Sequence, residues 1–178
     1  IKAVGVFVNE EMKKIIELCN AHVIDLVQLH GDEDEDYIKR LKNRVSNQII
    51  KAVRVKAPED VKKAMGFSCD YLLLDAYHEK EYGGTGKAFD WSVIPDINKP
   101  FFLAGGIHPG NVMQAIGSCN PYCIDVSSGV ETDGYKDPEK IMEMVARVRA
   151  VKQPLKTRIP EMMKFTRGFR AKAGNPNI

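Results

Sequence analysis

The chain has 178 residues, of which 44% are hydrophobic and 28% are charged, and this balance is typical of one globular domain. No apolar run approaches the roughly 20 residues that a membrane-spanning helix needs. The net charge of +2 is unevenly distributed: residues 152–178 carry seven basic residues and one acidic residue, which leaves the remainder at −4. A mildly acidic body argues against nucleic-acid binding.

Short apolar runs alternate along the chain with amphipathic stretches that have helical spacing. The apolar runs are predicted to be six strands, namely Val4–Val8, Ile24–Leu29, Ile49–Val55, Tyr71–Asp75, Phe101–Ala104 and Cys123–Val126. Because these runs are continuous rather than alternating, we expect both faces of the sheet to be covered, as in a parallel sheet between helices.

The stretches between the strands are predicted to be helices, and some carry start signals. Asn9 is a natural cap for a helix over residues 10–20, and Pro58 suits the first turn of a helix over 58–64. Five consecutive acids at 32–36 favour a helix N-terminus through its dipole, and we prefer this interpretation to metal binding. Further helical segments are expected at 33–43, 91–94, 109–116 and 138–150.

Strand-then-helix units of this kind fit either an open doubly wound sheet or a closed eight-stranded barrel. Six units are visible, a barrel needs two more, and the chain begins within a strand, so we expect two units upstream. The predicted fold class is α/β, a TIM (β/α)8 barrel that is incomplete here and contains strands three to eight with their helices. Residues 1–152 form the predicted partial barrel, and residues 153–178 form a basic C-terminal appendage without an assigned role.

Small residues follow the last two strands and predict a phosphate site. They are Gly105, Gly106, Ser127, Ser128 and Gly129. Glycine lets the backbone approach a ligand closely, and free backbone N–H groups bind anions. The loops after barrel strands seven and eight commonly hold a phosphate. The alternative is that these residues only make tight turns.

Two side chains at strand ends are candidates for acid–base chemistry. Asp75 closes a very apolar strand, and a carboxylate at that end of a barrel strand faces the active-site mouth, which suits a general acid. The alternative roles of Asp75 are a helix cap or an ion-pair partner. His30 ends the second visible strand and is a candidate for substrate binding, although a lone histidine is more often structural.

A glycine-rich loop follows the Asp75 strand and contains Gly83, Gly84, Gly86 and Lys87. Its spacing is not that of a nucleotide phosphate loop. We interpret it as a loop that folds over a substrate, with Lys87 available to an anion.

The four cysteines form neither a CxxC pair nor a zinc pattern on their own. Reduced, chemically idle thiols in a cytoplasmic protein are the expected state. No metal ligands are predicted.

Together these residues resemble the phosphoribosylanthranilate isomerase family of tryptophan biosynthesis. The matching segments occur in family order and are VGVFVN (4–9), VQLHG (27–31), IKAV (50–53), LLD (73–75), YGGTGKAFDW (82–91), LAGGIHPGNV (103–112) and DVSSGVE (125–131). The resemblance implies a (β/α)8 barrel with no metal or organic cofactor, acting on a small phosphoribosyl substrate. The implied reaction is an Amadori rearrangement of N-(5-phosphoribosyl)anthranilate to 1-(2-carboxyphenylamino)-1-deoxyribulose 5-phosphate, with Asp75 as the general acid.

The family's general base is a cysteine in a Lys-Ile-Cys-Gly segment on its first strand, and residues 1–178 contain no such segment. An arginine that the family places toward the anthranilate carboxylate is also absent. We therefore expect this chain to be nearly inactive alone. The alternatives are a non-catalytic phosphate-binding barrel fragment, with open sheet edges that self-associate or take up a complementary fragment, and another phosphosugar barrel enzyme such as indole-glycerol-phosphate synthase.

Overall fold

The structure is a computed structural model and describes residues 1–76, 91–151 and 164–165. The main strands are β1 (Val4–Phe7), β2 (Leu26–Leu29), β3 (Gln48–Val55), β4 (Tyr71–Ala76), β5 (Phe101–Ala104) and β6 (Cys123–Val126). The helices are α1 (Met12–Asn20), α2 (Glu35–Lys42), α3 (Pro58–Ala64), α4 (Val112–Cys119) and α5 (Pro138–Ala150). Short 3₁₀ turns lie at Trp91–Val93 and Ser128–Val130, and two-residue strands at β7 (Glu131–Thr132), β8 (Tyr135–Lys136) and β9 (Lys164–Phe165).

The larger sheet has the order β1-β2-β3-β4-β5-β6-β9, and every neighbouring pair is parallel. From β1 to β6, each strand lies beside the next strand in sequence. A doubly wound sheet reverses its strand order, whereas a (β/α) barrel keeps it, so the observed order is that of the barrel. Two residues of the predicted appendage, Lys164–Phe165, extend the sheet beyond β6.

The continuous apolar strands bury two separate faces. One face packs against the helices and includes Leu29, Leu74 and Leu103, which are fully buried with Ile15 of α1 and Ile38 of α2. The other face forms a second cluster that includes Leu26, Ile50, Leu73, Phe102 and Cys123. Full burial of one such side chain contributes about 1.5–3 kcal/mol, and this two-sided burial explains why the strands lack polar alternation.

Some predicted helix boundaries were wrong, and local hydrogen bonds explain why. Asn9 does not cap α1, because its φ is 52° and its Oδ1 accepts a hydrogen bond from the backbone N–H of Asp32, 2.7 Å away. The cap of α1 is Glu11. Asp34 caps α2 by accepting from the backbone N–H of Tyr37, so the acids do serve this helix N-terminus.

Helix α4 begins at Val112 rather than at residue 109. The backbone N–H groups of Asn111 and Val112 both donate to the carbonyl of His108, so the chain turns there before the helix begins. Within the described ranges, no helix is long and apolar enough to cross a membrane.

Candidate functional site

The predicted site residues that the structure describes all lie at or just beyond the carboxyl ends of parallel strands. His30 follows β2, and Asp75 is the penultimate residue of β4. Gly105 follows β5 and Ser127 follows β6. Because neighbouring parallel strands end at the same edge of a sheet, these residues share one edge. Asp75 is in register with Ala104, the residue before Gly105. Gly83, Gly84, Gly86 and Lys87 lie outside the described residues.

Asp75 and His30 face each other across this edge. Nε2 of His30 is 3.9 Å from Oδ2 of Asp75, and each side chain is 30% exposed. Nδ1 of His30 is 2.8 Å from Nε2 of Gln28, a side chain that is 2% exposed. A half-buried carboxyl that faces a histidine and remains open to solvent can exchange a proton with a bound molecule.

Gly105 and Gly106 form the turn after β5, with φ angles of 87° and 63°. Side chains rarely tolerate this region of φ, so the turn requires glycine at both positions. Asn111 holds the turn, since its Nδ2 donates to the carbonyl of Gly106 at 2.9 Å and its Oδ1 accepts from the backbone N–H of His108 at 2.9 Å. The sequence analysis did not identify Asn111. Its spacing of three residues from His108, typical of an Asn side chain that bonds a nearby turn, was the available signal.

The turn after β6 packs directly against the turn after β5. Ser127 precedes the 3₁₀ turn Ser128–Val130, and a Cβ added at Gly129 would lie 1.8 Å from the carbonyl oxygen of Ile107. Only glycine therefore fits at 129. The contact brings the backbones of the two turns together, as an anion site built from backbone N–H groups requires.

Lys136 supports the second turn and was missed in the sequence analysis. Its Nζ donates to the carbonyl of Ser127 at 2.9 Å and pairs with Oε1 of Glu131 at 2.6 Å. Lys136 reaches this position because β7 and β8 form a hairpin around Asp133 and Gly134, whose φ angles are 52° and 80°. The dipeptide Asp-Gly is a strong hairpin signal and could have predicted this turn.

A buried ion pair supports the turn that follows His30. Oε2 of Glu33 accepts hydrogen bonds of 2.9 Å from both Nζ of Lys51 and the backbone N–H of Gly31, while Oε1 accepts from the backbone N–H of Asn9 at 2.8 Å. Burial acts to raise the pKa of Glu33, but the hydrogen bonds from Lys51 and Asn9 outweigh it and hold the pKa below its usual value. Glu33 thus has a structural role of its own, which could not be distinguished in the sequence from that of the neighbouring acids at 32–36.

The cysteines are poor candidates for a thiolate base. Burial raises the pKa of the thiols of Cys19 and Cys69, and it raises the pKa of Cys119 to about 11. Cys123 begins β6, at the amino end of the sheet and away from Asp75. In the part of the chain that the structure describes, no group of three or more His, Cys, Asp or Glu side chains is placed to hold a metal ion.

Comparisons with known proteins identify the family. The sequence model of the N-(5'-phosphoribosyl)anthranilate (PRA) isomerase family matches residues 1–147. The N-(5'-phosphoribosyl)anthranilate isomerase of Endomicrobium trichonymphae is 50% identical over 151 residues, which are 85% of this chain and 74% of the relative. The corresponding isomerase of Lachnoclostridium phytofermentans is 46% identical over 158 residues, covering 82% of this chain and 72% of that relative.

A solved structure agrees with this result. The crystal structure of phosphoribosyl anthranilate isomerase from Thermotoga maritima is similar with a TM-score of 0.70 and 36% identity, covering 85% of this chain and 74% of that one. A further isomerase structure, in complex with reduced 1-(o-carboxyphenylamino)-1-deoxyribulose 5-phosphate, has a TM-score of 0.66 and 32% identity, with 85% of this chain and 73% of that one covered. The chain therefore belongs to the N-(5'-phosphoribosyl)anthranilate isomerase family, a family of intramolecular isomerases of tryptophan biosynthesis.

Proposed function

We propose that this chain carries the general acid and the phosphate site for the Amadori rearrangement of N-(5-phosphoribosyl)anthranilate to 1-(2-carboxyphenylamino)-1-deoxyribulose 5-phosphate. The turns after β5, at Gly105 and Gly106, and after β6, at Ser127 to Gly129, are called the two glycine turns. The observation that carries the proposal is the position of Asp75 at the same sheet edge as these turns, with Ala104 in register beside it. A substrate held by its phosphate at the turns would extend along this edge toward the carboxyl group.

The phosphate would be bound by backbone N–H groups of the two turns. Gly105, Gly106, Ser127, Ser128 and Gly129 are the proposed contacts. The Nζ of Lys136 donates to the Ser127 carbonyl at 2.9 Å and so holds this turn in place, while its charge is paired with Glu131. His30, Gly83, Gly84, Gly86 and Lys87 are proposed to contact the remainder of the substrate.

Asp75 would act as the acid in the first step. Its O–H bond breaks as a new O–H bond forms on the furanose ring oxygen. The bond between C1 and that oxygen breaks, its electron pair goes to the oxygen, and the lone pair of the anilino nitrogen forms the Schiff base. A base must then remove the C2 proton to give the enolamine, which tautomerises to the ketone.

We further propose that β1 to β6 correspond to strands three to eight of the family's barrel, so that this chain alone turns over slowly. The support is that residues 1–178 lack the Lys-Ile-Cys-Gly segment and that the pKa values of Cys19, Cys69 and Cys119 are raised. General base catalysis typically contributes about 10²–10⁴-fold, and its loss would reduce the rate correspondingly.

The exposed edge of β1 is the proposed site of association with a second copy or with a complementary fragment. Among the described strands, β1 pairs with β2 alone, whereas the edge of β6 is occupied by β9. Val6 is 47% exposed and Val8 is 65% exposed. An unpaired edge with apolar side chains is a template for a further strand. Light scattering of the purified chain tests self-association, which a strict monomer would contradict.

The catalytic proposal is tested by turnover of N-(5-phosphoribosyl)anthranilate. The chain is assayed alone and mixed with a polypeptide comprising the first two strand–helix units of the Endomicrobium trichonymphae relative. We expect little turnover alone, turnover in the mixture, and a loss of two to four orders of magnitude (~10²–10⁴) in the mixture when Asp75 is replaced by Asn. Full activity of Asp75→Asn would remove Asp75 from the mechanism, and rapid turnover by the chain alone would contradict the missing-base proposal.

A non-catalytic phosphate-binding protein is the second candidate, and the raised thiol pKa values favour it. It predicts phosphate binding without turnover in either sample. The mixing experiment therefore separates the two candidates.

A further inference from the structure

His30 lies between a buried amide and the carboxylate of Asp75, with one ring nitrogen facing each. Nδ1 is 2.8 Å from Nε2 of Gln28, and Nε2 is 3.9 Å from Oδ2 of Asp75. Gln28 is 2% exposed, while the side chains of His30 and Asp75 are each 30% exposed. His30 thus connects a buried amide to a carboxyl group that solvent can reach.

The strand register brings these residues together. Gln28 and His30 are two residues apart on β2 and its extension, so their side chains project from the same face. β3 lies between β2 and β4, which places β2 and β4 about 10 Å apart at the usual strand spacing of roughly 4.8 Å. Leu29 on β2 pairs with Lys51 on β3, so His30 is level with Ala52. Asp75 on β4 pairs with Arg54, which is two residues further along β3. Ala52 has a small side chain, and the ring of His30 approaches Asp75 diagonally across β3.

The contact with Gln28 determines where the imidazole carries its proton. An amide nitrogen only donates hydrogen bonds, so its partner on His30 must be an unprotonated ring nitrogen. With the lone pair on Nδ1, the single proton of the neutral ring is on Nε2, which faces Asp75. We propose that Gln28 is a positioning residue that holds His30 as the neutral Nε2–H tautomer and thereby directs a hydrogen-bond donor at the carboxyl group of Asp75.

The consequence for catalysis rests on the proposed function. When Asp75 has given its proton to the furanose oxygen, it is a carboxylate, and the Nε2–H of His30 can donate to it without losing its own proton. Catalytic hydrogen bonds are often long before substrate binds and shorten in the reacting complex, so the distance of 3.9 Å is compatible with this role. Stabilisation of the developing carboxylate lowers the barrier of the protonation step.

If the amide oxygen and nitrogen of Gln28 exchanged places, the opposite tautomer of His30 would be expected. If Oε1 rather than Nε2 faced His30, it would accept a hydrogen bond from Nδ1–H, and Nε2 would present a lone pair to Asp75. The two arrangements therefore differ in a single observable, the location of the imidazole proton.

Nitrogen-15 NMR of the whole chain, labelled at histidine, measures that location without any need for turnover. Spectra recorded over a range of pH identify the neutral ring, in which the couplings between ring protons and nitrogens distinguish the two tautomers. The His30 signals are assigned by their loss in His30→Asn. We expect the proton on Nε2 and a lone pair on Nδ1. A proton on Nδ1 in the wild-type chain would overturn the proposal.

The variant Gln28→Glu tests whether Gln28 is the cause. A carboxylate accepts hydrogen bonds only, so we expect a proton to appear on Nδ1, whereas the control Gln48→Glu, on the exposed side chain that begins β3, leaves His30 unchanged. An unprotonated Nδ1 in folded Gln28→Glu would overturn the proposal, and if that variant does not fold the wild-type spectrum decides alone. Failure of turnover in the mixture with the complementary polypeptide, together with the expected tautomer, would reject the proposed function and leave the role of Gln28 intact.

Discussion

The Nζ of Lys51 lies 2.9 Å from Oε2 of Glu33, and the two side chains are 5% and 2% exposed. The pair joins the end of β2 to the middle of β3, because Lys51 also donates to the carbonyl of Gly31 at 2.6 Å. It therefore fixes the turn that directly follows His30. Breaking a buried ion pair by removing one partner leaves the other charge uncompensated, which costs more than the pair itself contributes.

Replacement of Lys51 by Met is expected to lower the free energy of unfolding by about 3–5 kcal/mol, since the carboxylate of Glu33 would remain buried without its cation. Urea denaturation measures this change. The control is Lys62→Met on α3, whose partner Glu59 and own side chain are 65% and 60% exposed, and which should cost no more than about 1 kcal/mol. Equal losses in the two variants would contradict the assigned role of Lys51.

Glu33 also predicts a dependence of stability on pH. Its folded pKa lies below its usual value of 4.5, because the hydrogen bonds from Lys51 and Asn9 outweigh the opposing effect of burial. A depressed folded pKa stabilises the native state fully above the unfolded pKa, and this stabilisation is lost as the pH falls through the folded pKa. Unfolding free energies measured from pH 7 into this acid range should therefore fall less steeply for Glu33→Gln than for the wild type. Parallel curves would show that Glu33 does not contribute to acid unfolding.

Replacement of Lys136 by Met removes the hydrogen bond that its Nζ donates to the Ser127 carbonyl. Loss of a hydrogen bond to a charged group removes about 1.5–3 kcal/mol of stabilisation from the turn, and each 1.4 kcal/mol that binding must then supply to order the turn is tenfold in affinity. We expect affinity for reduced 1-(o-carboxyphenylamino)-1-deoxyribulose 5-phosphate to fall about tenfold or more, measured by calorimetry, with no effect of Lys62→Met. If Lys136→Met bound the compound as tightly as the wild type, Lys136 would have no part in the phosphate site.

The thiols should react slowly in the native state. The thiolate is the nucleophile, and burial raises the pKa of Cys19 and Cys69 and brings that of Cys119 to about 11. At a mildly alkaline pH we expect these three thiols to be alkylated by iodoacetamide far more slowly in buffer than in about 8 M urea, which unfolds a typical domain. Peptide mapping assigns each site. If one of the three thiols reacted as fast in buffer as in urea, that cysteine would again be a candidate for the general base.

The strands could be predicted from sequence because burial on two faces leaves a local signature. Tyr71-Leu72-Leu73-Leu74 is apolar at every position, and the structure buries all four side chains. The order of the strands confirmed the barrel over the doubly wound sheet, a choice that the local pattern could not make because both folds use the same units.

The site was only partly predictable, because its contacts depend on register. Asp75 and the glycine turns lie at strand ends, and these positions could be predicted from the sequence alone. The pairing of Lys51 with Glu33 joins residues 18 apart, and the approach of His30 to Asp75 joins residues on two strands that β3 separates. The prediction that Asn9 caps α1 failed because a tertiary hydrogen bond to Asp32 competed with the local one. The roles of Gly83, Gly84, Gly86 and Lys87 remain predictions.

We propose that the two glycine turns bind the phosphate of a phosphoribosyl compound beside Asp75. Calorimetric titration with reduced 1-(o-carboxyphenylamino)-1-deoxyribulose 5-phosphate tests it most directly, in the wild type, Gly129→Ala and Gly117→Ala. A Cβ at Gly129 would collide with the carbonyl of Ile107, whereas one at Gly117 on α4 meets nothing within 4 Å. We predict saturable binding by the wild type and Gly117→Ala and loss of binding by folded Gly129→Ala. Absence of binding by the wild type, or equal binding by all three, would contradict the claim.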